Sequence, residues 1–367
     1  MTPEAATAAV DLLEGMVRIP SPSGEEQRLA AHLRDRMAAL GLESWIDEAG
    51  NVLGRTRPRP GPTVLLVGHV DTVPGDLPVV RTEELITGRG TVDAKGPLAA
   101  MISAVAGCTD FPGTLLVAGA VEEETPRSRG AVHLGATLPA PDALIIGEPG
   151  GWQGVVLGYK GKLDLRYRVT RAATHPSNPE PKATEVAAAF WADLLDLLGP
   201  DSGHGSFQQP GATLVAMRGD TAQAELEIGV RTPVGFDQQE FTAELRNRAR
   251  GGTVEVLNGV GAVLSSRNDP VVQALTAGIR AAGGTPRPTR KTGTSDMNTL
   301  AEYWSSVPMA TYGPGDSALD HSDDEHIGIQ EYLRAVDVLG GALRRLGGLP
   351  RPHLTAATPQ SLGGTFR

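Results

Sequence analysis

The sequence predicts an α/β fold with a mainly parallel main sheet and a smaller α+β unit inserted into it. The first observation is that short apolar runs alternate with helical stretches through the first 150 residues, which is typical of a mainly parallel sheet covered by helices. The second is a change of pattern between residues 161 and 263. The third is the return of the α/β pattern after Asn268-Asp269-Pro270. Two separate stretches of chain therefore build the larger core.

The larger unit begins with two helices. An amphipathic pattern predicts the first at about residues 3–17, and Ser23 is a candidate N-cap for a second that runs to about Leu40. Later helices are predicted after Lys95, through Ala282 and near residues 330–346. The apolar runs predicted as strands are residues 63–67, 114–121, 143–146 and 307–311.

The inserted unit has a different order of elements. Its strands are predicted at residues 162–170, 213–217, 224–230 and from 253, and its helices at 184–198 and 236–250. This β-α-β-β-α-β order is that of a ferredoxin-like domain. We therefore expect a catalytic domain of residues 1–160 and 266–350 and an inserted domain of residues 161–265. Residues 351–367, rich in proline and paired glycines, are expected to be a flexible tail.

Composition narrows the class of protein. A chain of 367 residues with 40% hydrophobic and 21% charged residues is typical of a globular protein. The net charge of −10 argues against nucleic-acid or anionic-membrane partners, which require clustered positive charge. The single cysteine, Cys108, cannot form an internal disulfide, and no apolar run approaches the length of a membrane span. We expect a cytoplasmic protein.

Potential metal ligands follow the predicted strands of the main sheet. His69 and Asp71, the Glu122–Glu124 run and Glu148 each come directly after a strand, and His321 follows the last strand after a short loop. Alone, each of these side chains is more often solvated or structural. Ligands of an open α/β sheet bind beyond the carboxyl ends of its strands, so we expect them to converge. A mixed nitrogen and oxygen donor set suits zinc, cobalt or manganese.

Two spacings in this set favour metal-dependent catalysis. A metal-bound histidine usually donates its second ring proton to a carboxylate, and Asp71 is placed to orient His69 in this way. Three adjacent glutamates repel one another unless a cation offsets their charge, and a base that activates water lies beside a ligand rather than serving as one. On these grounds alone, Glu122 and Glu123 both remain candidates for the base.

Five segments together resemble the motifs of a known family. They are GHVDTVP at 68–74, GRGTVDAKG at 88–96, VEEE at 121–124, IGEP at 146–149 and LDHS at 319–322. The chain is similar, from about residue 10 to 345 and with the motifs in family order, to the dinuclear-zinc aminoacylases and carboxypeptidases. This family includes acetylornithine deacetylase and succinyl-diaminopimelate desuccinylase.

The resemblance implies a centre of two divalent ions, Zn²⁺ first and Co²⁺ as the alternative. It implies that His69 and Glu148 hold one ion, that Glu124 and His321 hold the other, and that Asp93 bridges them. It implies that Glu123 is the general base, since the motif reads acidic-Glu-Glu. Asp71, the carboxylate expected to orient His69, is the second residue expected to serve catalysis. The resemblance also implies a cis peptide bond between Asp93 and Ala94.

The inserted domain and the loop after it carry the implied substrate contacts. AATHP at 172–176 resembles the family's lid motif, although Thr174 stands where the family usually has glycine. Its histidine, here His175, would reach across a homodimer formed by the inserted domains. Arg231 resembles a substrate-facing arginine, with an ion-paired strand residue as the alternative. Thr294 lies in a Gly-Thr-Ser-Asp loop that resembles one lining the family's substrate pocket.

The stretches 290–298 and 312–321 most resemble one branch of the family. That branch releases lysine, and sometimes ornithine, from the C-terminal glutamate of the acidic amino-group carrier protein LysW in lysine and arginine biosynthesis. A cluster of Arg280, Arg287, Arg290 and Lys291 is expected to receive the carrier near the pocket mouth, with a solvated basic turn as the alternative. Alternative functions are a deacetylase of free N-acetyl-lysine or N-acetylornithine, a desuccinylase, a dipeptidase or carboxypeptidase, and a metal-free regulatory relative.

Overall fold

The computed structural model describes residues 1–349, so the tail expected at 351–367 lies outside the described residues. The helices in this part of the chain are α1 (Pro3–Val17), α2 (Gln27–Ala39), α3 (Lys95–Gly107), α4 (Arg129–Thr137), α5 (Ala183–Leu198), α6 (Gln238–Asn247), α7 (Pro270–Ala281), α8 (Asp296–Tyr303) and α9 (Ile329–Leu346). The strands are β1 (Glu43–Ile46), β2 (Val52–Arg55), β3 (Thr63–His69), β4 (Val80–Arg81), β5 (Leu85–Thr87), β6 (Thr114–Ala120), β7 (Ala143–Ile146), β8 (Gly154–Tyr159), β9 (Gly161–Thr170), β10 (Gly211–Gly219), β11 (Gln223–Thr232), β12 (Thr253–Val260), β13 (Val263–Leu264), β14 (Arg287–Lys291), β15 (Met309–Thr311) and β16 (His326–Gly328).

The largest sheet is mainly parallel at its centre, as the sequence predicts. Its strand order is β1-β2-β6-β3-β7-β15-β8-β13, and β14 pairs with β8. The neighbours β6, β3, β7 and β15 run parallel to one another, whereas β1, β2 and β13 pair antiparallel. Parallel neighbours share one carboxyl edge, so loops that leave these strands meet there.

Helices cover both faces of this sheet. Along β3, Val64 and Leu66 pack in the cluster shared with α1, α3, α7 and α9, while Leu65 and Val67 pack in the cluster shared with α4 and α8. Because successive side chains of a strand point to opposite faces, a strand buried on both faces is continuously apolar. This burial explains the uninterrupted Val64-Leu65-Leu66-Val67 run.

A second sheet has the order β10-β11-β9-β12 and is antiparallel. Its elements follow one another as β9-α5-β10-β11-α6-β12, the ferredoxin-like order. One face packs on α5 and α6 around its own apolar cluster, where the rings of Tyr167 and Phe190 stack at 3.9 Å. The opposite face carries charged and small side chains together with the exposed apolar side chain of Val215. Its role in covering the site or in dimerisation stays a prediction.

The start of the second helix differs from the expectation. Helix α2 begins at Gln27 with Glu26 as its N-cap residue, and Ser23 instead donates its hydroxyl to Asp71 Oδ2 at 2.7 Å. Ser23 therefore serves the loop that follows β3. Among residues 1–349, no helix combines the length and apolar character required to cross a bilayer.

Candidate metal centre

All five sequence-predicted ligands lie at one edge of the main sheet, four of them directly after or downstream of a central strand. His69 is the last residue of β3, Glu124 lies in the turn after β6, and Glu148 follows β7. Asp93 comes from the loop before α3, and His321 from the loop after β15. His69 is almost completely buried, at 1% exposure.

Asp93 lies between the two histidines. Its Oδ1 is 3.1 Å from His69 Nε2, and its Oδ2 is 3.0 Å from His321 Nε2. His321 Nε2 is also 2.9 Å from Glu124 Oε1, and His69 Nε2 is 3.9 Å from Glu148 Oε1. The Asp93–Ala94 peptide bond is cis, as the resemblance implies. One carboxylate thus faces two separate groups of donors.

The donor atoms form overlapping groups of metal-binding size. Within each group the atoms lie no more than 4.8 Å apart, and the groups are His69–Asp93–Glu148, Asp93–Glu124–His321 and His69–Glu123–Glu124. The first two share Asp93 and divide the other four ligands as the resemblance implies. The third includes Glu123, so geometry alone would also allow Glu123 to be a ligand.

Buried negative charge dominates the electrostatics of this cluster. Burial and the charge of Asp93 raise the pKa of Glu148 to about 8. Burial and the charge of Glu148 raise the pKa of Glu123 well above its usual value. Burial opposes ionisation of Asp93 as well, but hydrogen bonds from His321 and His69 outweigh it and hold its pKa well below its usual range. Buried carboxylates facing one another are costly unless cations neutralise them.

Asp71 organises the turn that carries the glutamates. His69 Nδ1 is 2.9 Å from the Asp71 backbone carbonyl and 3.5 Å from Asp71 Oδ1. The Asp71 carboxylate accepts the backbone N–H groups of Glu123 and Glu124, each at 3.0 Å. Asp71 therefore fixes the His69 ring mainly through its carbonyl oxygen, while its side chain holds the turn.

Glu325 is a site residue that the sequence analysis did not identify. It is 1% exposed, and its Oε1 accepts the backbone N–H groups of Val92 and Asp93 at 2.9 and 3.1 Å. Arg89 donates to Glu325 Oε2 at 3.0 Å. In the sequence, Glu325 ends the acidic run Ser322–Glu325, which looks like solvated surface. In the fold it holds the loop that presents Asp93.

Of the three predicted substrate-contact residues, Arg231 and Thr294 lie together and His175 lies apart from them. Arg231 of β11 donates to the Thr294 hydroxyl at 3.1 Å, so the inserted sheet and the loop before α8 meet there. His175 lies elsewhere: it is exposed, and its Nδ1 is 2.7 Å from Ser177 Oγ. Within one described chain, His175 belongs to none of the metal-binding groups.

The predicted basic cluster is only partly a surface feature. Arg287 and Arg290 are exposed on β14, and the Arg290 guanidinium lies 5.6 Å from the Phe207 ring centroid. Lys291 instead donates to the Pro149 carbonyl at 2.7 Å, next to Glu148. Lys291 is therefore part of the wall of the metal site rather than of the surface.

A doubly covered, mainly parallel sheet with two histidines and several buried carboxylates at its carboxyl edge defines a metal-dependent hydrolase. The family model described as Peptidase family M20/M25/M40 matches residues 65–345. The chain belongs to this family.

Named relatives extend over almost the whole chain. A [LysW]-lysine hydrolase of Deinococcus radiodurans is 42% identical over 365 residues, which cover 95% of this chain and 99% of the relative. A putative [LysW]-lysine/[LysW]-ornithine hydrolase of Pyrococcus abyssi is 34% identical over 352 residues, covering 96% and 98%.

Solved structures of the family share the fold. The YXEP protein of Bacillus subtilis, described as a dinuclear metal binding peptidase from M20 family, superposes with a TM-score of 0.71 at 13% identity, covering 94% of this chain and 98% of that one. At this identity the likeness concerns the fold.

Proposed function

We propose that this protein hydrolyses the amide bond that links lysine, or ornithine, to the C-terminal glutamate of the carrier protein LysW. The observation that carries the proposal is the 42% identity over 95% of the chain to a relative named for this activity. The candidate metal-binding groups at the carboxyl edge of the main sheet support the proposal. In this function the enzyme releases a free amino acid in lysine and arginine biosynthesis.

The residues fit two divalent ions, with zinc as the proposed metal and cobalt as the alternative. His69 and Glu148 would hold one ion and Glu124 and His321 the other, with Asp93 between them. The fit is supported by the approach of one buried carboxylate to both histidines, with Asp93 Oδ1 3.1 Å from His69 Nε2 and Asp93 Oδ2 3.0 Å from His321 Nε2. The mixed imidazole and carboxylate donors suit zinc.

Bound divalent ions would polarise the substrate carbonyl and increase the acidity of water. We propose that Glu123 takes the proton from the attacking water and returns it to the leaving amino group. A base of this kind works best when its pKa approaches the working pH, and burial already raises the pKa of Glu123. Asp71 keeps Glu123 in place through the backbone bond at 3.0 Å.

Substrate contacts are proposed for three further residues. Arg231 and Thr294, which lie 3.1 Å apart between Nη1 and Oγ1, are placed to bind the carboxylate of the released amino acid. His175 is proposed to act in a homodimer, where it would reach the site of the partner subunit. Its exposure in a single chain supports such a role.

The deciding experiment compares substrates on the metal-loaded enzyme. Carrier-linked lysine and ornithine are assayed against free N-acetyl-lysine, N-acetylornithine and succinyl-diaminopimelate, and metal content is measured in parallel. We expect the highest kcat/KM for a carrier-linked amino acid and about two ions per chain. If a free acylated substrate is turned over preferentially, the protein is the corresponding deacylase and the proposed function is wrong. If a preparation without metal is active, the metal-dependent mechanism is wrong.

A further inference from the structure

A cavity of about 640 Å³ lies on the open face of the β10-β11-β9-β12 sheet, where that sheet faces the loop before α8. Arg231, Asp164 and Gly229 line it from the sheet, and Gly293 lines it from the loop. Four of its lining residues, Pro126, Arg127, Lys162 and Asn258, also line the neighbouring cavity that contains Glu123. The cavity therefore adjoins the cavity that is lined by the proposed base.

One end of the cavity offers positive charge. Within residues 1–349, Arg231 makes no ion pair within 4 Å, and its bond to Thr294 is to a neutral hydroxyl. Burial lowers the pKa of Arg231, and the charge of nearby Asp164 opposes this effect without cancelling it. A carboxylate group of a ligand would give the guanidinium a directly paired counter-ion.

The Asp164 carboxylate supplies negative charge nearby. Lys162 Nζ lies 2.9 Å from Asp164 Oδ2, while Oδ1 accepts no hydrogen bond from the described part of the chain. Oδ1 instead faces Gly229: a Cβ at Gly229 would lie 3.7 Å from it and 3.8 Å from Val215 Cγ2. The glycine thus leaves open space between a free carboxylate oxygen and an apolar side chain that is 63% exposed.

The strand register sets the offset along the sheet between the two residues that carry these charges. Arg231 pairs with Lys162 and Gly229 pairs with Asp164 across β11 and β9, so Asp164 lies two residues along the sheet from the level of Arg231. Two residues of strand span about 7 Å. That span is comparable to the reach of an extended lysine from its carboxylate to its ε-nitrogen.

We propose that this cavity is the subsite for the side chain of the released amino acid, with Asp164 Oδ1 binding a terminal ammonium group. Gly229 leaves room for the methylene stem, which Val215 and Leu257 border, and Arg231 binds the α-carboxylate. The inference rests on the proposed function, because it takes a diamino acid as the leaving group. It makes Asp164 a residue that determines specificity rather than a catalytic residue.

The test compares carrier-linked lysine with carrier-linked norleucine, which lacks the ammonium group, on the metal-loaded enzyme. We expect the wild type to prefer lysine by about 10- to 100-fold in kcat/KM, the range of a hydrogen bond to a charged group. In Asp164→Asn this preference should fall to near unity through KM. Gly229→Ala, whose added methyl meets only ordinary contacts, should raise KM for both substrates by about tenfold.

Two control variants make the outcome specific. Glu225→Gln removes a carboxylate of the same sheet face that pairs with Arg168 at 2.6 Å outside the cavity, and the lysine preference should be unchanged. If Glu227→Gln rather than Asp164→Asn abolishes the preference, the assignment to Asp164 is wrong. Equal turnover of lysine and norleucine by the wild type would overturn the subsite and leave the proposed function standing. No turnover of either carrier-linked substrate would instead refute the proposed function, and the preference for free acetyl-lysine over acetyl-norleucine would then decide the subsite.

Discussion

The backbone N–H of Glu123 donates a hydrogen bond of 3.0 Å to Asp71 Oδ1. The same carboxylate accepts the N–H of Glu124, and the carbonyl oxygen of Asp71 contacts His69. Asp71 thus sets the relative positions of the proposed base and of one proposed ligand from each metal group. Burial opposes its ionisation, but hydrogen bonds, first of all from His69, lower its pKa overall, so it remains an acceptor.

Replacing Glu123 by Gln should reduce kcat by at least about 10²- to 10⁴-fold, the usual contribution of a positioned base, with metal content and melting temperature retained. The matched control is Glu122→Gln, because Glu122 points to Arg129, with 2.8 Å between Oε1 and Nε. The control should retain most activity. An inactive Glu122→Gln enzyme beside an active Glu123→Gln enzyme would show that the base is Glu122.

Replacing Glu325 by Gln should weaken metal binding by about 10- to 100-fold, the effect of losing a residue that orients a ligand. The neutral amide loses the charge-assisted bonds to the Asp93 loop and leaves Arg89 without its partner. Titration of chelator-treated protein with zinc measures the change. Asp323→Asn, in the same acidic run but exposed, is the control, and equal zinc affinity in both variants would contradict the role of Glu325.

The metal-free protein should become less stable as the pH rises from about 5 to about 8. In this window the folded chain keeps the proton on Glu148, whose pKa is about 8, while the unfolded chain has lost it at about 4.3. The folded state then binds more protons, so the free energy of unfolding falls with rising pH. Melting temperatures of chelator-treated protein test this.

Glu148→Gln should show a flatter pH dependence of stability because it removes this proton. Since metal binding requires deprotonated ligands, added zinc should raise the melting temperature more at pH 8 than at pH 5.5. If the stability of the metal-free wild type rises over the same window, the interpretation that buried Glu148 keeps its proton in the folded state is wrong.

His175→Ala should lower kcat while leaving metal content unchanged, if His175 acts on the site of the partner subunit. Mixing His175→Ala with Glu123→Gln and allowing subunits to exchange should then restore activity, because one site of the mixed dimer has both residues. Sedimentation measures the oligomeric state. A fully active monomer, or a mixture that stays inactive although mixed dimers form, would rule out the cross-subunit role.

Reversing Arg287 and Arg290 to Glu should raise KM for carrier-linked lysine and spare a free acetylated amino acid. Surface charges steer association and are screened by salt, so the effect should shrink at high ionic strength. The control reverses Arg28 and Arg57, two exposed arginines elsewhere on the chain, which changes the net charge equally. The same loss in both double variants would indicate a general charge effect instead of a docking surface on β14.

The sequence predicted several of the strands whose burial is uniform, although β8, which is buried along its whole length, was not predicted. Strands such as β3 and β6, covered on both faces, leave continuous apolar runs, and β9 and β11 alternate because only one face is covered. Strand β14 was not predicted, because four of its five residues are exposed and two are arginine. Its strand character comes from pairing with β8, which a local pattern does not show.

The residues of the candidate site also divide into those that a local sequence pattern indicates and those that it does not. The proposed ligands that follow apolar strands could be selected from the sequence because an apolar strand indicates where the carboxyl edge of the sheet lies. Glu325 and Ser23 were missed because each acts on the backbone or side chain of a residue far away in the sequence: Glu325 on the Asp93 loop and Ser23 on Asp71. Their local contexts, an acidic run and a Pro-Ser-Pro-Ser turn, are typical of solvated loops.

The order in which the ligands occur along the chain bears on how the enzyme matures. The ribosome synthesises His69, Asp93, Glu124 and Glu148 first, and β15 and His321 much later. Helix α9, which packs against α1, α3 and α7, is made later still. A nascent chain that extends past Glu148 therefore has all the proposed donors of the His69–Asp93–Glu148 group, whereas His321 of the Asp93–Glu124–His321 group has not yet been made. The Asp93–Glu124–His321 group can therefore be completed only after β15 and the loop that follows it have been synthesised.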